Sequence, residues 1–292
     1  MELKKPIPLK EQLIKCKSDG LTTEDDSWAL QILSEIGYYK LMGYAFQFVT
    51  GSSGHKYSAT ASFELVYKLY CFDSELRELL RKYLEILEVY YKALIANTFS
   101  MRVCTSPPYD QHYYESNYYH KEYFSAIKEA FEKENEYYKE SAIVKHHKKK
   151  YGGKMPLWAL LELLSFSNTS KLYASMYDND QDAIASLVHV GRKTLANNLH
   201  CMSVLRNKCS HAARIYNTTL SPAVKLSDSI LKRCPSLSTQ KLFAFIIMLS
   251  KRLPNTEYRT DFKEDFTYLI AKYNGIIDHS LLGIPVEYEN YL

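Results

Sequence analysis

The sequence has no Cys-x-x-Cys pair and no spacing of Cys against His of the kind that holds zinc, although six Cys are present, at Cys16, Cys71, Cys104, Cys201, Cys209 and Cys234. Reduced, structural thiols are therefore expected, with no metal and no cofactor. Long apolar runs are also missing. The longest, Leu242 to Leu249, is too short to span a bilayer and reads as a buried core helix, so no membrane contact is expected. The segment Met1 to Pro8 carries Lys and Pro where a secretory signal needs an apolar stretch, which predicts a cytoplasmic protein. Nor is there a strong excess of one charge: 37 Lys and Arg face 33 Asp and Glu, a net charge of +4. A protein that coats nucleic acid indiscriminately is excluded, and any RNA contact has to be local. Period-two alternation of apolar residues is nearly absent, and no internal repeat is visible.

What is present is ordinary for a folded globular chain, with 46% hydrophobic and 24% charged residues over 292 positions. Apolar residues recur at three and four, which predicts an all-α fold. An amino-terminal helical module is expected over residues 1–55, with helices around Leu9 to Lys17 and through Trp28 to Ile36, closed by the turn Gly51-Ser52-Ser53-Gly54. A central helical domain follows over 56–220 and a helical extension over 221–292. The clearest helix carries the stripe Leu76, Leu80, Tyr83, Leu87, Tyr90 and Leu94, with Asp73 as its expected N-cap and an end before Pro107-Pro108. A Tyr-rich helix from Tyr118 to Lys139 comes next, then a helix from Pro156 to Asn168 and one capped near Asp180 or Asp182. A long helix from Arg192 to Arg214 is followed by two or three more, with breaks at Pro222, Pro235 and Pro254.

Tyr is abundant, at 26 residues. Its ring has an apolar face and a hydroxyl, suited to helix seams in most places and to stacking on unpaired bases in some. The run Lys145-His146-His147-Lys148-Lys149-Lys150, before Gly152-Gly153, reads as a solvated linker. It serves equally well as an RNA-binding segment that meets phosphates or as a charged loop that aids solubility.

In the helix ending near Arg214, Leu195, Leu199, Met202, Leu205 and Cys209 define the buried face, and Arg206 falls among them. A guanidinium there requires a carboxylate partner or an opening in the fold. Asn207, His211 and Arg214 follow at i, i+4 and i+7, along one neighbouring face. Arg206 and His211 lie about 140° apart on an ideal helix, so their cooperation requires a distortion, a helix end or the long reach of Arg.

The stretch Leu205-Arg206-Asn207-Lys208-Cys209-Ser210-His211-Ala212-Ala213-Arg214-Ile215-Tyr216-Asn217 resembles the signature of the Abi-like abortive-infection family, in which R-N-x-x-A-H is followed by Arg and Asn. Three further segments resemble that family in the same order. They are Lys5-Pro6 with Gln12 and Gly20-Leu21; Ile36-Gly37-Tyr38-Tyr39-Lys40-Leu41-Met42-Gly43-Tyr44; and Pro156-Leu157-Trp158 through Glu162 to Phe166. The resemblance covers roughly residues 5–217. Departures are Ser210 for Ala, Lys40 and Lys92 for Arg, and Ser167 for Gly. The family belongs to the HEPN superfamily of helical nucleases, whose R-x-x-x-x-H motif is its catalytic hallmark. The resemblance thus implies a HEPN-like helical bundle with Arg206, Asn207 and His211 as catalytic residues and Arg214 in support. Glu88 and Lys92 resemble the acidic-x-x-x-basic pair that such proteins turn toward the active site, a geometry that an ordinary surface ion pair shares.

By this resemblance the protein is a metal-independent endoribonuclease, a toxin of bacterial anti-phage defence that acts as a homodimer and is regulated by a small noncoding RNA. Such an enzyme lets the RNA 2′-hydroxyl attack the neighbouring phosphate, leaving a 2′,3′-cyclic phosphate. His suits acid or base work because an unperturbed imidazole titrates near about 6.5. Arg206 would fork the phosphate, and Asn207 would orient His211 or the phosphate. Two other readings stand beside it: a non-catalytic protein that holds a structured small RNA, and an interaction module in which Arg206 is a buried ion-pair member.

Overall fold

A computed structural model describes residue 3 and residues 5–50 and 56–292. The turn expected at Gly51 to Gly54 lies outside them. Among the described residues the strand content is a single antiparallel pair, β1 (Val49–Thr50) with β2 (Lys56–Tyr57), Val49 standing opposite Tyr57. Everything else that is regular is helical, and the fold class is all-α.

The first three helices are α1 (Leu9–Ser18), α2 (Asp26–Ile36) and α3 (Tyr38–Ala45). Asp25 caps α2 by accepting the Ser27 and Trp28 amides. The chain turns into α3 at Gly37, whose φ of +88° is one that side-chain-bearing residues rarely adopt.

Helix α4 (Phe63–Val103) is the spine, 41 residues and roughly 60 Å long. It begins ten residues before the expected Asp73, because the buried series Phe63, Val66, Leu69 and Phe72 extends the apolar stripe upstream. Ser62 supplies the cap, its hydroxyl accepting the Leu65 amide at 3.1 Å. Asp73 is therefore mid-helix, and its carboxylate serves another purpose, described below. The stripe also drifts: beyond Leu87 it is Tyr91 and Ile95 that are fully buried, whereas Tyr90 and Leu94 are half-buried. Successive steps of four rotate the contact line by about 40° each, since four residues exceed one turn.

After α5 (Lys121–Tyr137) comes α6 (Ala142–Tyr151), which replaces the linker expected at Lys145 to Lys150. Ser141 caps it, Gly152 ends it in the left-handed conformation, and Val144 and His147 dock its inner face. The predicted helix from Pro156 to Asn168 is in fact two, α7 (Leu157–Leu163) and α8 (Phe166–Ser175). Ser165 sits extended between them and caps α8 through the Asn168 amide. Helix α9 (Asp178–Ser186) starts after Tyr177, so Asp180 and Asp182 are inside it rather than at its cap.

Helix α10 (Arg192–Ser210) packs between α8 and α4. It stops four residues before the expected Arg214. The carboxyl-terminal part holds α11 (Asp228–Arg233), α12 (Leu242–Arg252), α13 (Thr256–Lys272) and the one-turn α14 (His279–Leu282), one helix more than expected. Every residue from Leu242 to Ser250 is buried, as an all-round apolar helix requires. Both α12 and α13 rest on α4. Among the described residues no helix is long and apolar enough to cross a membrane.

The crossing from α4 to α7 is held by His112, which is 1% exposed. Its Nε2 faces the Met155 carbonyl at 2.9 Å and so carries the proton, leaving Nδ1 to accept from the Cys104 thiol at 3.3 Å. Burial pushes its pKa below the ordinary imidazole range. Unfolded His titrates near about 6.5, so below that pH the unfolded chain takes up a proton that the folded chain resists, and stability falls with acidification. Denaturant titrations between pH 7 and 5 should show this slope reduced in His112→Gln. Equal slopes would place the acid sensitivity elsewhere.

Candidate active site at the end of α10

The last turn of α10 determines where the chemistry-bearing side chains point. Leu195, Leu199, Met202, Leu205 and Cys209 are buried, as the spacing predicts. Arg206 lies at the edge of this face rather than within it, its side chain 37% exposed. The reason is a polar partner across the seam: Glu88 on α4 forms an ion pair with Arg206, one oxygen lying 3.2 Å from Nε, and through its other oxygen pairs with Lys92 at 3.0 Å. Glu88 and Lys92 are mostly buried, each with 12% of its side chain exposed. They are not an outward surface pair. With Glu88 facing Nε and Asn207 Oδ1 accepting from Nη1, Nη2 of the guanidinium has no partner among the described residues and remains available to an anion.

Asn207 lies beside Arg206, with its Oδ1 3.5 Å from Arg206 Nη1. Its amide nitrogen donates to the Ser167 hydroxyl at 3.3 Å. Ser167 therefore ties α8 to α10 through its hydroxyl.

His211 is the C-cap residue, with φ −94° and ψ 16°. The chain then makes a Schellman closure: the Ala213 amide bonds the Lys208 carbonyl at 2.9 Å and the Ala212 amide the Cys209 carbonyl at 3.3 Å. The left-handed position, usually Gly, is Ala212 at φ 50°. Thus Asn207, His211 and Arg214 do not share a regular helical face. The helix end leaves His211 exposed. Among the described residues the His211 ring has no hydrogen-bond partner.

Arg214 lies beyond the turn, against α3. A Cβ on Gly43 would meet its Nη1 at 3.3 Å, and its Cζ stands 5.9 Å from the Tyr44 ring centre. Two segments that resemble the family signature thereby touch each other.

The segment after His211 is fixed by Asp73, which is fully buried. One oxygen accepts the Tyr216 amide at 2.7 Å and the Ile215 amide at 3.1 Å. The other accepts the Tyr44 hydroxyl at 2.6 Å and pairs with buried Arg77. Burial pushes the Asp73 carboxyl above the ordinary Asp range, while the Tyr44 hydroxyl, the Arg77 charge and the two amides pull it back. Four donors and no acceptor around it call for the ionised form. Nothing in the local sequence marks Asp73 for this role, because the amides it holds are 142 and 143 positions away.

The basic helix α6 forms a second feature. Lys145, His146, Lys148, Lys149 and Lys150 are exposed, whereas His147 is buried with Nδ1 donating to the Ile143 carbonyl at 2.8 Å. Lys145 pairs with Glu140 at 2.8 Å, and the Lys150 ammonium lies 5.1 Å from the Tyr151 ring centre. Next to α6 is a cavity of about 530 Å³ walled by His146, His147, Tyr151, Tyr109 and Trp158, with Lys154 at its edge. Tyr109, Tyr151 and Trp158 are exposed there. Among the described residues, no group of three or more His, Cys, Asp and Glu is placed to hold a metal.

An all-helical chain that presents Arg, Asn and His at the frayed end of one helix, against a carboxylate of another, defines a helical protein with a polar site in a bundle seam. The family profile described as Abi-like protein matches residues 31–217, and the chain belongs to that family. The match includes the Ile36 to Tyr44, Pro156 to Phe166 and Leu205 to Asn217 segments but not the Lys5 to Leu21 segment. Family membership suggests a role in abortive-infection defence. No curated protein and no solved structure matches the chain.

Two stability outcomes follow. Asp73→Ala strands Arg77 and two amides in the core and should cost about 3–5 kcal/mol in denaturant unfolding, the range for breaking a buried pair. Ala212→Gly should instead add about 1 kcal/mol by removing the left-handed penalty.

Proposed function

We propose that this protein is a metal-independent endoribonuclease of the HEPN type, a toxin of bacterial abortive-infection defence that works as a homodimer and is regulated by a small noncoding RNA. The observation that carries the reading is the exposed imidazole of His211 at the very end of α10, one turn beyond an Arg206 that is paired with Glu88 and keeps Nη2 without a partner among the described residues.

In this reading Arg206 receives the non-bridging phosphate oxygens in a fork, and Glu88, Lys92 and Asn207 position it. His211 moves the proton, taking it from the 2′-hydroxyl or giving it to the departing 5′-oxygen. One imidazole cannot do both at once, so two chains related by a twofold axis bring two of them to one cleft. Arg214, anchored against Gly43 and Tyr44, supports the segment that carries His211. The exposed lysines of α6 meet further phosphates, and the adjoining aromatic cavity offers faces on which an unpaired base can stack.

The same cavity also favours a binding protein that holds a structured RNA without cutting it. End mapping separates the two. Incubation with RNA should yield 2′,3′-cyclic phosphate and 5′-hydroxyl ends, be unaffected by EDTA, and stop at a 2′-deoxy substitution of the cleaved linkage. His211→Ala and Arg206→Ala should each lower cutting by about 10²- to 10⁴-fold without lowering the melting temperature. RNA that is bound and shifted but acquires no new ends would establish the binding reading in place of the nuclease.

A further inference from the structure

At the opposite end of α10, roughly 27 Å from His211, the fold forms a half-open cavity of about 670 Å³ between the start of α10, the segment leading into α11, the end of α12 and the start of α13. Five permanent cations line it: Lys225, Arg233, Lys251, Arg252 and Arg259. No Asp or Glu does.

Among the described residues none of these five makes an ion pair. The three Arg among them donate to neutral carbonyls: Arg252 Nη1 to Val188 at 3.3 Å, Arg259 twice to Leu253 at 3.0 and 3.2 Å, and Arg233 Nη2 to Asn290 at 3.3 Å. Carbonyls orient a guanidinium without neutralising it. Arg192, one residue past the cavity wall at Gly191, shows the contrast, since Asp178 and Asp182 both pair with it.

Crowding of like charge is felt inside the cluster. Partial burial lowers the Lys251 pKa, and the charges of Arg259, Arg233 and Lys263 lower it further. Two more features add positive potential. Gly191, the N-cap of α10, has no side-chain cap and lines the cavity together with Thr194, so the positive end of a 19-residue helix borders the same space. Val188, Val190, Leu226, Ile230 and Met248 provide an apolar wall beside the cations.

Lys225, Arg233, Lys251 and Arg259 are exposed and reach water, so the cluster stands without an anion, but five like charges around one half-open cavity concentrate a positive potential that attracts a multiply charged anion. A single carboxylate or chloride would leave most of the charge unbalanced. We propose that this cavity is a binding site for a ligand bearing several phosphate groups, seated between Lys225, Arg233, Lys251 and Arg259 at the start of α10. The inference goes beyond the nuclease reading and stands without it, because no residue of the His211 segment takes part. The phosphates can come from a free nucleoside polyphosphate or from an RNA strand, and the probes below distinguish them.

The test is calorimetric titration of the full chain with sodium tripolyphosphate, with ATP, and with a short oligoribonucleotide carrying either a 5′-hydroxyl or a 5′-triphosphate. The wild type should bind one equivalent of at least one probe. Binding of tripolyphosphate and ATP identifies a polyphosphate end as the recognised group, and binding of the 5′-hydroxyl oligonucleotide alone identifies internal RNA phosphates. Lys251→Gln should weaken binding about tenfold, and Lys225→Gln with Lys251→Gln about a hundredfold, the loss expected when charge-assisted contacts are removed one by one. The ligand-free melting temperature of Lys251→Gln should hold or rise, because a repelling charge has been removed. The proposal is overturned if no probe binds the wild type, if the double variant binds as well as the wild type, or if Lys251→Gln melts several degrees lower without ligand, which would make the cluster structural.

Discussion

The site depends on one buried carboxylate. Asp73 sits in the middle of α4 with no exposed surface and gathers the Tyr44 hydroxyl, the Arg77 guanidinium and the amides of Ile215 and Tyr216. Burying a carboxylate this completely is tolerable only because every lone pair finds a donor. The consequence is positional. The chain leaving α10 cannot continue as helix, since its amides at 215 and 216 are claimed by α4, and it cannot swing away, since those bonds are among the best shielded in the molecule. His211 is suspended between the last helical turn and this clamp.

A second carboxylate on the same face of α4 does the complementary work. Asp73, Arg77, Glu88 and Lys92 fall within about 100° around the helix axis, so the spine presents a polar stripe to α10 alongside its apolar one. Glu88 holds Arg206 by its Nε, whereas Asp73 holds the backbone beyond His211. The guanidinium and the imidazole are thus positioned from one rigid element, although they leave α10 on either side of its end. Ala212 in a left-handed conformation is the strain that this arrangement carries.

Much of this was legible in the chain and some was not. Helices, their apolar faces and the all-buried α12 follow from spacing, because a period near 3.6 is a local property that survives packing. Arg206, Asn207 and His211 were findable as residues, but the buried position assigned to Arg206 ignored Glu88, 118 positions upstream. Asp73 was misread as a cap for a similar reason: an acidic residue before an apolar stripe fits that role, and amides 142 positions on leave no local trace. The lysine run was misread because charge suggests a solvated linker, whereas Val144 and His147, three apart, are enough to dock a capped helix. Ser165 is indistinguishable by type from a mid-helix Ser, yet it breaks α7 from α8.

A net charge of +4 conceals how the charges are distributed. Asp178 and Asp182 near the start of α10 pair with Arg192, and Glu88 near its end is shared between Arg206 and Lys92. Around the α10 start five basic side chains line one cavity without an ion pair among the described residues, while at its end one terminal nitrogen of Arg206 is left without a partner. A nearly balanced composition therefore yields a helix with anion-seeking groups at both termini, and the difference in their number sets the difference in what each can hold. In the proposed reading Arg206 engages one phosphodiester at a time, whereas five basic side chains around one cavity suit a multiply charged ligand.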